Sequence, residues 1–380
     1  MSNGLLIGVA LLAGFSLLNP FNWFGDEPGP KMADLPELVS SIPVRVLWQA
    51  SVGTAGDAFL SPMAAAGSVF AAARDGTVAR FDAASGLESW RANAGRPLSG
   101  GVGTDGALVA VGTNEGEVIA LDSDSGSVRW RARLSSEVIS APVVAGDLVI
   151  VRSGDSRLFA LDARDGRRRW LYQRSSPTLS VRSPAGLVVD RGYVYAGFAG
   201  GKLVSLSLVN GGVRWETTVS LPRGTTELER VTDVVGLPLV AEREVCAVAY
   251  QGRVGCFDIA NGNALWSREM SSTTGLSMDA RYVFVSDDKG SVHALDRAGG
   301  TSVWKQDRLF FRRLTAPLAL DRETAVGDVR GFIHFLSRET GALVGRFETD
   351  GSAASAGLVR LDDGFLVQTR SGNLYALSTR

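Results

Sequence analysis

One phrase recurs eight times along this chain: a glycine-bearing turn, an alternating strand ending in Leu-Asp or a close variant, a glycine, then a tryptophan. Residues 116–130 carry it in clear form, with GEVIALD followed by Gly126 and then by Trp130. A period of about 40 residues holding four short strands is the signature of a β-propeller. The strand ends fall at Asp82, Asp122, Asp162, Ser207, Asp258, Asp296, Ser337 and Ser378. All but the last lead into a glycine: Gly86, Gly126, Gly166, Gly211, Gly262, Gly300 and Gly341. Tryptophan follows at Trp90, Trp130, Trp170, Trp215, Trp266 and Trp304, but the seventh unit has Gly345 there.

The eighth strand end is followed only by Thr379 and Arg380, so its unit lacks an outer strand. At the other end of the chain, residues 44–50 form an unmatched strand with Trp48 and no hairpin before it. The arithmetic predicts an all-β, eight-bladed propeller of four-stranded blades, closed by that N-terminal strand so that no sheet edge stays open. Both faces of a strand such as 118–121 are apolar, as a blade between two neighbours requires. The tryptophans, Trp48 included, are expected to pack between blades. Each Asp is expected to bond turn amides, and each glycine to supply a positive φ.

The repeat covers residues 44–380, one long all-β domain. Net charge is −1, so no bulk field attracts nucleic acid or an anionic bilayer. The arginines between Arg164 and Arg169 read as a solvated turn. Residues 1–18 read as a signal or anchor segment, because 5–18 is an apolar run without a basic flank and is short for a membrane span. Residues 19–43, with five prolines, read as a tether with one helical turn near 35–41. LLAG at 11–14 resembles a bacterial lipoprotein signal, but Phe15 stands where the lipid-bearing cysteine belongs. An uncleaved anchor is the expectation, with a misassigned start as the alternative. Membrane contact is expected through this segment alone.

Cys246 and Cys256 flank a hairpin at 249–253. A three-residue loop with left-handed Gly252 pairs Ala249 with Arg253 and sets the cysteines face to face; a two-residue loop puts them on opposite faces. Two readings stay open: a disulfide in an exported protein, or two small buried hydrophobes in a column of alanines. His293 and His334 share one repeat column that is otherwise apolar, which favours core packing over a metal pair. No metal-ligand spacing, phosphate loop or nucleophile elbow is present, and neither a catalytic residue nor a cofactor is expected. The enzymatic alternative is a quinone (PQQ)-dependent dehydrogenase, a class of eight-bladed propellers with a similar Gly-x-x-x-Trp repeat. That class adds an adjacent cysteine pair, a calcium site and long insertions, whereas these cysteines are ten apart.

The largest irregularity is the gap from Trp215 to Trp266, where residues 219–238 form a long, polar, charged segment. A break in a repeat is where binding is expected, because packing alone does not require it; a solvated insertion is the alternative. The phrases GTTELERVTDV at 224–234, AVAYQG at 247–252, LFFRRLTAP at 309–317 and VGDVRGFIH at 326–334 are similar to those of the BamB family, propeller components of the outer-membrane β-barrel assembly machine. The resemblance spans the whole chain. It implies a non-enzymatic periplasmic scaffold at the outer membrane, which binds the POTRA domains of BamA and handles unfolded outer-membrane proteins. The family's BamA-contacting positions match Leu179, Val181, Arg182 and Asp233. Val181 replaces a family Leu, and Val235 stands where a second Asp is found. From the residues themselves, Leu179 and Val181 could anchor a partner beside an Arg182 clamp, or Arg182 and Asp233 could pair with each other across blades.

Overall fold

A strand that is apolar on both faces is stable only between two other layers, and the fold repeats that solution around a ring. In the computed structural model, which describes residues 31–38, 41–175 and 177–380, eight antiparallel four-stranded sheets account for every named strand. In blade 2 the strands run outward from the axis as Gly100–Thr104, Leu108–Gly112, Glu117–Asp122 and Val128–Arg133. Val118 to Leu121 are buried, whereas the outer strand is exposed except at Trp130 and, in part, Ala132. Eight apolar clusters mark the eight seams between successive blades.

The N-terminal strand Arg45–Ser51 is the outermost strand of blade 8, paired with Asn373–Ser378 so that Trp48 faces Ala376. The ring is therefore sewn shut as its arithmetic predicts. A register slip recurs at this position in every blade, beside a tryptophan in seven of them, as between Ala120 and Leu121 opposite Trp130, and beside Gly345 in blade 7.

The tryptophan indole makes a lock of fixed design. Trp90 Nε1 donates to the Ser123 carbonyl at 2.8 Å, and its ring covers Gly126, where a Cβ would lie 2.7 Å from Trp90 Cε3. Gly126 also has φ +70°, so both the close approach and the backbone demand glycine. Trp48, Trp130, Trp170, Trp215, Trp266 and Trp304 repeat the lock on the carbonyls of Ala83, Ala163, Leu208, Ile259, Arg297 and Arg338. The turn that receives the indole is set by its Asp: Asp122 Oδ1 accepts from Ser125 N at 2.8 Å. Blade 8 has no such turn, because its third and fourth strands come from opposite ends of the chain. A tryptophan at position 345 would have nothing to lock onto, which accounts for its absence there.

Three local expectations are revised. Cys246 pairs with Cys256 in the register of a three-residue loop, and the two are joined by a disulfide. The left-handed residue there is Gln251, at φ +46°, not Gly252. Gly252 is needed for space instead, since a Cβ would fall 2.8 Å from Ser220 Cβ. The segment at 219–238 is not all loop: Val234–Val240 is the inner strand of blade 5, bulged around Gly236 and Pro238. Among the described residues of 31–43 no helical turn forms. The expected anchor at 1–18 and Phe15 lie outside the described residues.

Replacing Trp130 with Ala removes a buried indole and its bond, and is expected to cost about 3–5 kcal/mol in urea unfolding. Thiol titration of the denatured, unreduced protein should find no free cysteine; two free thiols would refute the pairing of Cys246 with Cys256.

Candidate functional site

Connections from an outer strand to the next inner strand lie at the same end of the blades as the turns between second and third strands. Residues 134–142, 174–186 and 219–233 are therefore neighbours on one face, with the turns at 113–116, 199–201 and 250–252. The candidate residues gather there.

Asp233 organises the cluster from below. It is 4% exposed, and its carboxylate accepts from Val181 N at 2.5 Å and from Gly200 N at 3.1 Å. Its own carbonyl accepts from Tyr250 N at 2.8 Å. One residue thus ties three surface segments to blade 5. Burial raises its pKa, opposed by the two amides and by the charge of Arg152. Arg152 donates to the carbonyls of Ala185 and Gly197 at 3.0 and 2.6 Å, and its guanidinium lies 5.1 Å above the Phe198 ring. Desolvation brings its pKa down to about 10.

Above this base, Leu179 is 41% exposed and Val181 is half-buried. Arg182 does not pair with Asp233, which overturns that reading of the two residues. Its guanidinium donates to Glu137 at 2.9 Å, and to Asn114 at 3.3 Å, from the preceding blades. Glu137 raises the Arg182 pKa, so the cation is secure. Arg182 and Asp233 both line a pocket of about 180 Å³, with Glu137, Arg152 and Ser180. The 177–180 stretch around Leu179 is exposed, so an apolar tip stands beside a fixed cation.

The period-breaking connection beside it is also built. Glu229 accepts from the amides of Thr225 and Thr226 at 2.7 and 3.1 Å, which hold its carboxyl below the usual range. This compact turn leaves Leu228 and Leu221 exposed. Val235, in contrast, is buried in the seam between blades 5 and 6. It offers no surface contact.

His293 and His334 sit one blade apart, each bonded through Nε2 at 2.9 Å to an aspartate of the preceding turn, Asp287 or Asp328. Burial pushes the His334 pKa down. Among the described residues, the one group with metal-ligand spacing is Glu244, Cys246 and Cys256, whose thiols are joined to each other.

Sequence reasoning missed Arg152, Glu137 and Asn114. A signal existed for Arg152, which occupies a strand column that holds Ala72, Gly112 and Gly197 in neighbouring blades. An arginine in a column of small residues needs buried acceptors, and the adjacent blade supplies them.

A family model described as "Outer membrane protein assembly factor BamB" matches residues 74–306. The protein of that name from Bordetella pertussis is 43% identical over 369 residues, covering 97% of this chain and 95% of its own length. The crystal structure of BamB from Moraxella catarrhalis superposes with a TM-score of 0.82 at 29% identity, covering 88% of this chain and all of that one. A quinohemoprotein alcohol dehydrogenase from Comamonas testosteroni reaches a TM-score of 0.70 at 13% identity over 88% of this chain and 76% of its own, a likeness of fold alone.

Replacing Asp233 with Ala leaves the Val181 and Gly200 amides without their acceptor. It is expected to cost about 1–3 kcal/mol in denaturant unfolding and to speed exchange of the Val181 amide. Leu179→Ala should stay within about 0.5 kcal/mol of the parent, because the side chain is half exposed. Equal costs for the two would contradict the positioning role of Asp233.

Proposed function

The chain belongs to the BamB family of outer membrane protein assembly factors, and from that membership we propose that it is a non-enzymatic scaffold which binds the POTRA domains of BamA through the face bearing Leu179, Val181 and Arg182. It acts in the periplasm, held at the outer membrane by its N-terminal segment. The single observation that carries this reading is the exposed Leu179, two residues before Val181, whose amide is held by the buried Asp233.

Pre-ordering matters because a loop already held in place gives up little entropy on binding. An exposed leucine next to an arginine suits an interface in which an apolar anchor gives affinity and a charge gives register. Asp233 contributes through the loop it holds. Val235 packs inward, so this chain relies on fewer acidic contacts than the family pattern supplies. Unfolded outer-membrane proteins are the clients the family name implies. Both histidines are bonded to turn aspartates.

Arg182→Glu places an acid beside Glu137 and reverses the proposed clamp. Recovery of BamA in a pull-down is expected to fall about tenfold, equivalent to roughly 1.4 kcal/mol, with an unchanged circular dichroism spectrum and melting temperature. Undiminished recovery by a folded variant would remove Arg182 from the interface.

A further inference from the structure

We infer that blades 6 and 7 form a docking groove for an extended peptide, filled in cis by residues 32–38 and 41–42, and that the Ile42 end of this occupant closes the seam between blades 7 and 8, the one without a tryptophan lock. The inference stands apart from the proposed binding of BamA.

The groove grips its occupant chiefly by main-chain atoms. Ala33 N donates to the Phe310 carbonyl at 2.9 Å, and Arg312 Nη1 donates to the Ala33 carbonyl at 2.9 Å. Arg346 Nη2 donates to the Pro36 carbonyl at 2.5 Å, and Arg308 Nη2 to the Glu37 carbonyl at 3.4 Å. Ile42 N donates to the Val344 carbonyl at 2.8 Å. Three guanidiniums thus read carbonyls, which every residue type offers. Side chains supply the pegs. Pro36 is buried, Leu38 packs into the cluster between blades 6 and 7, and Ile42 packs into the cluster between blades 7 and 8. Pro36 also biases Leu35 toward extended backbone, so the occupant is partly pre-shaped.

Arg312 shows that the groove is built for this purpose. It is 2% exposed, and its Nε bonds Asp328, which also receives His334. A buried guanidinium needs an acceptor for each aimed N–H, and the Ala33 carbonyl takes the one that faces the segment. Arg312 and Arg346 flank the Phe332 ring at 5.8 and 5.9 Å, which fixes their spacing.

Position 345 links the groove to the seam. A Cβ there would fall 2.8 Å from Ile42 Cγ1, and Gly345 is not in a left-handed conformation. The glycine is kept for the passage of Ile42. Where the other seams have an indole on a turn glycine, this seam has a docked chain over a bare glycine.

Hydrogen exchange of the full-length protein tests this at single amides. The Ala33 and Ile42 amides should be protected in the unaltered chain, despite lying in a proline-rich stretch without secondary structure. Arg346→Ala and Gly345→Ala should each speed their exchange at least about tenfold while the Phe335 amide in blade 7 stays protected. Gly345→Ala alters no charge, so agreement between the two identifies docking as the cause. Unprotected Ala33 and Ile42 amides in the unaltered chain would overturn the inference, as would unchanged rates in both variants.

Discussion

The ring depends on one contact made seven times: an indole laid flat on the turn glycine of the next blade, with its N–H spent on that turn's carbonyl. The contact joins sheets that share no backbone ladder, so it carries the cohesion that hydrogen bonding between strands carries within a blade. It also explains why three separated residue types travel together. The Asp shapes the turn, the turn exposes the glycine and the carbonyl, and the tryptophan reads both. Ser207 and Ser337 replace the Asp at two of the turns, and the locks of Trp170 and Trp304 still form there.

Because the lock is local, it could be read from sequence. The spacing of Asp122, Gly126 and Trp130 gave the blade, its count gave the ring, and the orphan Trp48 gave the closure. The cysteine register could be read too, because a hairpin loop of known length fixes which residues face each other. The true role of Gly252 was not legible, since what demands a glycine there is Ser220, a contact between connections distant in sequence. The inner strand at Val234–Val240 was hidden by Gly236 and Pro238, which look like loop residues and form a bulge.

The candidate site divides in the same way. Leu179 and Arg182 stood out because the family resemblance pointed to them, and Asp233 because it also lies in the broken period. The bonds that order the first two did not, since they come from three other blades: Glu137, the Gly200 turn and Asp233. Asp233 has the sequence appearance of a surface acid and the environment of a core residue. A buried carboxylate that accepts two amides is a structural rivet, and no local pattern distinguishes it from a solvated one.

Phe310, which receives Ala33, lies in the connection from blade 6 to blade 7, so it opens on the same end of the ring as the loop of Leu179. Under the proposed attachments, through the N-terminal segment and through the Leu179 loop, the ring is held at one end at two points three blades apart, which leaves it little freedom to roll. The turns of Asp122 and its equivalents rim the opposite end, which on that proposal faces away from both.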